Sequence, residues 1–198
     1  MIFSDITIES YCAASTTRKP MIEPFFNELQ KYDVERFGEN VRIPSFGLSS
    51  YGYDVRLQPK FKLFSKPDIG RVIDIFNFVE ESHVEEIESD HVIIPPGGLL
   101  LGVTVEKFNM PPDVTGVCIG KSTWARIGAQ VLVTPLEAGW SGELVVEITN
   151  ATNTPLKIYA HVGIAQIQFL KGDRHCRVSY SDRGGKYDKQ IGVTTAKL

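Results

Sequence analysis

The chain has 198 residues, of which 42% are hydrophobic and 23% are charged, and its formal net charge is -3 at pH 7. This composition is typical of a globular protein with one buried core, and no Ser- or Gly-rich linker divides it, so we expect a single domain over 1–198. The sequence shows no basic stripe of the kind that follows duplex DNA, so we expect no nucleic-acid partner.

The first part of the chain, about 1–40, is predicted to be helical. Ser4 and Asp5 can cap a short and weak helix. A second helix is predicted over Met21–Tyr32, because its aromatic and leucine residues recur at roughly helical spacing. We expect this aromatic stripe to pack into the core.

From about Ser49 onward the hydrophobic period changes to two, as Tyr51, Tyr53 and Val55 alternate with small or polar residues, which is typical of strands. Many short strands with Gly- and Pro-rich turns predict a mainly β fold with a few short helices, as a sandwich, jelly roll or distorted barrel. The further predicted strands are Lys60–Phe64, Arg71–Ile75, His91–Ile94, Leu99–Glu106, Val114–Ile119, Gln130–Val133, Glu143–Thr149, Pro155–Tyr159, Ala165–Leu170 and Arg177–Tyr180.

Two polar stretches are predicted to lie at the surface. The acidic segment Glu80–Asp90 is expected to form a solvated loop or an edge. The C-terminal tail, about 182–198, is polar and contains Gly184 and Gly185. We expect this tail to be mobile until something orders it.

The three cysteines, Cys12, Cys118 and Cys176, lie far apart and are never spaced C-x-x-C. This spacing argues against a disulfide framework and a Cys-rich zinc site, and it favours a reducing compartment. The chain has no basic-then-apolar signal pattern, and no apolar run approaches a membrane span. We therefore expect a cytoplasmic protein with no membrane partner.

Two motifs look informative but do not match in full. Gly120-Lys121-Ser122 suggests a P-loop, but that motif needs a glycine at position 115, where the chain has Thr115. His83-Val84-Glu85 matches one half of the zinc nucleoside deaminases, whose other half, P-C-x-x-C, is absent from this chain. If the protein deaminates a base, we expect it to do so without zinc.

The stretch Gly120–Arg126, read GKSTWAR, suits a phosphate ester. Ser122 and Arg126 are four residues apart, so one helical turn puts both on the same face. Lys121 adds a second cation beside them. The alternative is a surface turn with an ion pair.

The strand Glu143–Thr149 carries a candidate general base. Period two places Glu147 on the same face as Val145 and opposite Val146. A partly desolvated wall on that face would raise the pKa of Glu147 towards the value that a general base needs. The alternative is that Glu147 points to solvent.

Side chains further along the chain could contact a nucleotide. Gln166 offers an amide for a base edge or a phosphate. In the tail, Tyr180, Lys186 and Gln190 could add a stacking or hydroxyl group, a cation and an amide. A floppy basic tail remains the alternative for this last stretch.

Taken together, these residues resemble the dCTP deaminase family, relatives of the trimeric dUTPases. The similarity runs from about Met21 to Lys197 and is carried by MIEPF, SSYGYDVR, the IIPP turn, GKSTWAR, VTPLE-GW-G, the strand ending at Glu147, and DRGGKY--Q-GVT. It implies a dUTPase-type distorted β-barrel or jelly-roll-like fold and a homotrimer whose active sites are shared between subunits. The implied reaction is dCTP plus water giving dUTP plus ammonia, upstream of thymidylate.

The resemblance also implies the site. Glu147 would be the catalytic acid and base, with Ser122 and Arg126 as its essential polar pair. The triphosphate would carry Mg²⁺, and dTTP is a candidate feedback inhibitor. The expected substrate-binding residues are Lys121, Ser122, Thr123, Trp124, Ala125, Arg126, Thr134, Val145, Val146, Glu147, Gln166, Tyr180, Lys186 and Gln190.

Two alternatives stay open. A dUTPase, or a bifunctional dCTP deaminase/dUTP diphosphatase, would release dUMP and pyrophosphate, but Glu137 is the acid nearest to the place where bifunctional members carry Asp. A non-catalytic nucleotide-binding module would have kept the fold alone. Trp124 departs from the family pattern, which has a smaller residue there.

Overall fold

The computed structural model of this protein describes residues 1–39, 41–64, 72–78, 80 and 83–197, with the backbone alone at Val34. Within these ranges the chain is mainly β. In chain order the elements are α1 (Asp5–Cys12), β1 (Ile22–Glu23), β2 (Gln30–Tyr32), α2 (Val34–Phe37), β3 (Arg42–Ser49), β4 (Gly52–Phe64), β5 (Val84–Glu88), β6 (His91–Ile94), β7 (Leu99–Asn109), β8 (Val114–Gly120), α3 (Ser122–Ala125), β9 (Ala129–Leu132), β10 (Ser141–Asn150), β11 (Leu156–Tyr159) and β12 (Gly163–Lys171).

Most strands belong to one antiparallel sheet, which branches and curls into a half-barrel. Its main path runs β2-β3-β4-β7-β10-β9, and β12 joins β4 to β8. The 13-residue strand β4 connects the branches, because successive stretches of it pair with β3, β12, β7 and β5. A separate two-stranded sheet is formed by β6 and β11. The predicted mainly β fold with a few short helices and a curved, barrel-like sheet is confirmed.

The core lies inside the curl of the sheet, where Tyr53, Phe61, Phe108 and Phe169 are almost completely buried. One ion pair lies among these apolar groups. Glu106 is fully buried, and its carboxylate accepts hydrogen bonds from the Arg56 Nε (2.8 Å) and the Arg56 backbone N–H (2.9 Å). A buried carboxylate needs such partners, because leaving it unpaired costs more than the pair contributes.

The helix predicted over Met21–Tyr32 is wrong. Ile22 pairs with Phe108 across β1 and β7, and β2 begins within the same stretch. Pairing with distant strands satisfies this backbone, so tertiary contacts override the local spacing. Of the predicted aromatic stripe, Phe25 packs on the core, stacked on Tyr53 at 5.5 Å between ring centroids, whereas Tyr32 is exposed.

The short N-terminal helix is present as α1, although Ser4 makes no side-chain cap hydrogen bond. The strand predicted at Arg177–Tyr180 is wrong: this stretch turns, with the Ser179 N–H bonded to the Asp182 carboxylate at 3.0 Å. Of the strand predicted at Arg71–Ile75, Arg71 lies outside the described residues and 72–75 belong to no strand. Among the described residues no helix has the length and hydrophobicity needed to cross a bilayer.

The acidic segment contains a strand that the sequence analysis did not distinguish from a loop. In the part of it that the structure describes, β5 pairs with the end of β4 and with no second strand, which agrees with the predicted edge. The strand β3 was not predicted, and the predicted strand Lys60–Phe64 is the second half of β4.

Candidate active site

Two cavities are lined by most, but not all, of the predicted site residues. The carboxylate cavity, of about 610 Å³, lies between β10, the loop after β9 and the C-terminal tail. The cation cavity, of about 630 Å³, lies between β2, β3, β4, the end of β8, α3 and β12. Predicted residues in the carboxylate cavity are Thr134, Val145, Glu147, Tyr180, Lys186 and Gln190, and those in the cation cavity are Lys121, Ser122, Thr123 and Gln166.

Glu147 lies in the middle of β10, paired with Leu101 of β7 and Leu132 of β9. Its side chain is half-buried and lines the carboxylate cavity. The Oε2 atom is fully buried and has no hydrogen-bond partner among the described residues. Burial raises the pKa of the Glu147 carboxyl, because a desolvated carboxylate is harder to ionise. The side chain therefore faces a sheltered cavity and not open solvent.

A register shift shapes the wall beside Glu147. The pairing of β10 with β7 is irregular between Glu143 and Val145, and both Leu144 and Val145 line the carboxylate cavity. Strict alternation placed these two neighbours on opposite faces, and a bulge of this kind breaks the alternation. The result is an apolar wall, which is what lowers the local polarity around the carboxylate.

Two predicted binding residues have their side chains in the core. Val146 is fully buried, and Trp124 is 5% exposed with its indole N–H donating to the Gly163 carbonyl at 2.7 Å. Neither side chain lines the carboxylate cavity or the cation cavity. The indole at position 124 is thus explained by packing and by one buried hydrogen bond, and any nucleotide contact at these two positions would come from the backbone.

The helical turn predicted in GKSTWAR is present as α3. The Arg126 N–H donates to the Ser122 carbonyl at 3.1 Å, and Ser122 and Thr123 are exposed at the rim of the cation cavity. Ala125 and Arg126 are exposed and line neither cavity. The guanidinium of Arg126 has no hydrogen-bond or ion-pair partner within the described part of the chain. The surface ion pair that was the alternative for this turn is therefore absent at Arg126.

The cation of this turn that does pair is Lys121, whose ammonium contacts the buried carboxylate of Asp54. Asp54 also accepts a hydrogen bond from the Gln166 side-chain amide at 3.0 Å. The sequence did not predict Asp54 as a site residue, because its contacts depend on the pairing of β4 with β12. Lys31 and Arg42, which line the same cavity, were also missed, because they meet through the pairing of β2 with β3.

The C-terminal tail folds back over the carboxylate cavity of its own chain. The Glu143 N–H donates to the Gln190 carbonyl at 2.9 Å, and the Trp140 indole N–H donates to the Tyr187 carbonyl at 2.7 Å. The Gln190 amide donates to the Glu143 carbonyl at 2.9 Å, so this group is already engaged. These contacts bring the tail residues to the cavity, while the mobility of the tail stays a prediction.

The acid nearest to the position discussed for bifunctional relatives is also engaged. Glu137 lines the carboxylate cavity and forms an ion pair with Arg183, which lies 5.1 Å from the centre of the Tyr180 ring. The Glu137 carboxylate is already paired with a cation, whereas the Glu147 Oε2 atom has no partner among the described residues. Of the two acids, Glu147 is the one whose environment suits proton transfer.

Comparison with known proteins agrees with this fold. Residues 27–172 match the family model described as dCTP deaminase-like. The dCTP deaminase of Pseudomonas aeruginosa is 50% identical over 177 residues, 89% of this chain and 90% of that protein. The dCTP deaminase of Campylobacter hominis is 42% identical over 190 residues, 96% of this chain and 94% of that protein.

A solved structure of 2'-deoxycytidine 5'-triphosphate deaminase from Agrobacterium tumefaciens aligns with a TM-score of 0.56 at 21% identity, covering 86% of this chain. This chain spans 48% of the Agrobacterium chain, and the likeness shows a shared fold. The family match and the 42–50% identity to the dCTP deaminases over most of the chain show the family as well as the fold. This protein therefore belongs to the dCTP deaminase-like family.

Proposed function

We propose that this protein deaminates dCTP hydrolytically, giving dUTP and ammonia, with Glu147 as general base and acid. The relatives named dCTP deaminase support the substrate. The observation that carries the role of Glu147 is its buried Oε2 atom, which lacks a partner among the described residues and lies in a cavity. An unpaired buried carboxylate oxygen is costly, and a reactant water or ring N–H would satisfy it.

The proposed proton transfers balance without a second acid. The Glu147 carboxylate accepts a proton from water as the water oxygen bonds to C4 of cytosine, and that proton passes to N3. A second proton moves from the C4 hydroxyl to the amino nitrogen, the C4–N4 bond breaks, and ammonia leaves a C4 carbonyl. The raised pKa of Glu147 suits both acceptance and return of the proton. One positioned general acid–base group of this kind accelerates a reaction by ~10²–10⁴-fold.

We propose that each site also needs a neighbouring copy, in a homotrimer. Of the described residues, none lines both cavities. The base would lie beside Glu147 of one copy, and the Ser122 and Arg126 side chains of the next copy would fix the water and the carboxylate. The unpartnered guanidinium of Arg126 supports this arrangement, because a bidentate donor suits a carboxylate.

The phosphate tail would meet Lys121 and Lys186, with Gln166, Tyr180 and Gln190 close by. Mg²⁺, when bound, would neutralise part of the triphosphate charge. Within the described residues no three His, Cys, Asp or Glu side chains converge on one point, so phosphate oxygens and water would supply most of its ligands. We propose that the product dUTP supplies thymidylate synthesis and that dTTP inhibits by occupying the same site.

The test is a product assay with purified protein and dCTP, with and without Mg²⁺. We expect dUTP and ammonia from the unmodified protein, and a loss of turnover of at least about 10²-fold in Glu147→Gln with dCTP still bound. The matched control is Glu86→Gln, which neutralises an exposed carboxylate of β5. Release of dUMP would favour the bifunctional alternative, and an active Glu147→Gln protein would contradict the proposed mechanism.

A further inference from the structure

We propose that Asp54 is a positioning residue that holds Lys121 and Gln166 ready for the nucleotide; this inference rests on the proposed function. Asp54 lies on β4 directly opposite Gln166 of β12 and is 2% exposed. One carboxylate oxygen contacts the Lys121 ammonium, and the other accepts a hydrogen bond from Gln166 Nε2 at 3.0 Å. Two predicted nucleotide contacts from separate elements thus share one buried acid.

A buried acid in an anion-binding cavity needs a reason, because its charge opposes phosphate. The contacts support one reason: Asp54 fixes the side-chain conformations of Lys121 and Gln166. Lys121 donates to Asp54 and to the Ser45 hydroxyl at 3.3 Å, which leaves one of its three N–H donors for a ligand. A lysine held in this way loses less rotamer freedom when a phosphate binds.

The same carboxylate fixes which atom Gln166 presents. Its amide nitrogen donates to Asp54 and to the Ser49 hydroxyl oxygen at 3.2 Å. The Ser49 hydroxyl itself donates to the Gly52 carbonyl at 3.0 Å, so both partners of the amide nitrogen act as acceptors. The amide orientation is therefore determined, and the carbonyl oxygen of Gln166 is the group left for a ligand.

This geometry assigns Gln166 to an O–H donor of the bound nucleotide. From the sequence, its amide is predicted to bind a base edge or a phosphate. A carbonyl oxygen does not bind a phosphate oxygen directly, since both are acceptors. The cytosine amino group is also a donor, but the proposed function places the base beside Glu147, in the cavity that Gln166 does not line. The other donors of suitable chemistry are the sugar 3′-hydroxyl and a water on the phosphate-bound cation.

The test measures dCTP binding by calorimetry in the Glu147→Gln protein, where turnover does not interfere. We expect Asp54→Asn to weaken dCTP binding about tenfold, and Lys121→Met to weaken it similarly. Because Asp54 acts partly through Lys121, the double variant should bind less than about threefold worse than Lys121→Met alone. Independent, multiplying effects would overturn the proposal, as would unchanged or tighter binding in Asp54→Asn.

The matched control is Glu106→Gln, which removes another buried and paired carboxylate of the same sheet. Any effect it has on dCTP binding should multiply with that of Lys121→Met, since Glu106 contacts Arg56 and not the cation cavity. Coupling of equal size at Glu106 would reduce the role of Asp54 to general stability and overturn the proposal.

A crystal structure of the Glu147→Gln protein with dCTP tests the positioning role of Asp54 even if the Asp54→Asn protein fails to fold. We expect Lys121 to remain bonded to Asp54 and the Gln166 carbonyl oxygen to face the 3′-hydroxyl or a cation-bound water. A Lys121 released from Asp54, or a Gln166 nitrogen on phosphate, would overturn the proposal. If the unmodified protein binds dCTP without deaminating it, the proposed function fails while the role of Asp54 is still decided; if no dCTP binds, both fail.

Discussion

Cys118 lies within the electrostatic reach of Glu147: burial first, and the negative charge of that carboxylate second, raise the pKa of the Cys118 thiol to about 12. Because the thiolate is the nucleophile, we expect Cys118 to react with iodoacetamide at pH 8 at least about 100-fold more slowly than the exposed Cys176. Mass spectrometry of the modified peptides measures both rates in one sample. Similar rates at the two cysteines would contradict the burial of Cys118.

The raised pKa of Glu147 predicts a distinctive acid limb in the pH profile. The base must be deprotonated, so kcat/KM for dCTP should rise with pH through a pKa above the ordinary glutamate value of about 4.3. The measurement is the initial rate between pH 4 and 9 at subsaturating dCTP. An acid limb at or below the ordinary value would mean that the carboxylate is solvated in the working enzyme.

The same carboxyl predicts a pH-dependent stability difference. Its folded-state pKa lies above its unfolded value, so the folded protein binds this proton more tightly and loses stability as pH rises through that range. Glu147→Gln should therefore unfold at a higher temperature than the unmodified protein at pH 8. The difference should shrink as pH falls to about 3, below the unfolded pKa of about 4.3, where the carboxyl is protonated in both the folded and the unfolded state. Thermal unfolding at the two pH values checks the sign.

Most strands of this chain could be predicted from the sequence, because most strands bury one face and so show a clear apolar pattern. In β7 and β12 the apolar residues alternate or run continuously between clear turns, and their predicted bounds agree with the structure within a few residues. The failures were stretches whose order depends on distant partners. Ile22 becomes a strand only because Phe108 lies beside it, and no local period reports that pairing.

The candidate site was only partly predictable for the same reason. Glu147 could be predicted from its place in an apolar strand. Whether its side chain faces solvent or a sheltered cavity could not be predicted, because the register shift near Val145 is a property of the paired sheet. Asp54 lies within a strand, and nothing in the strand pattern distinguishes it from other polar residues. Its proposed positioning role depends on its place opposite Gln166, a residue 112 positions further along the chain.

Gly142 predicts a way to release the tail without touching a proposed binding side chain. Its φ is +148°, and an added Cβ would lie 2.8 Å from the Gln190 nitrogen and 2.9 Å from its carbonyl oxygen. Gly142→Ala should displace this stretch and speed tryptic cleavage after Lys186 and Lys189 about tenfold.

The control for Gly142→Ala is Gly38→Ala, where φ is +89° and no atom lies within 4 Å of the added Cβ. It carries the strain of a positive φ without the collision, so tail cleavage should stay at the unmodified rate. Equal cleavage in both variants would show that the close approach of Gly142 to Gln190 does not hold the tail.

The shared site predicts that two inactive variants can restore each other. Glu147→Gln lacks the base and Arg126→Ala lacks the guanidinium that a neighbouring copy is proposed to supply. If each site takes Glu147 from one chain and Arg126 from the next, a random equal mixture regenerates about one intact site in four, and so about a quarter of the unmodified activity. Co-refolding the two variants and assaying dUTP formation measures this fraction. Activity no greater than that of the separate variants would mean that each chain works with its own residues, and the proposed trimeric site would be wrong.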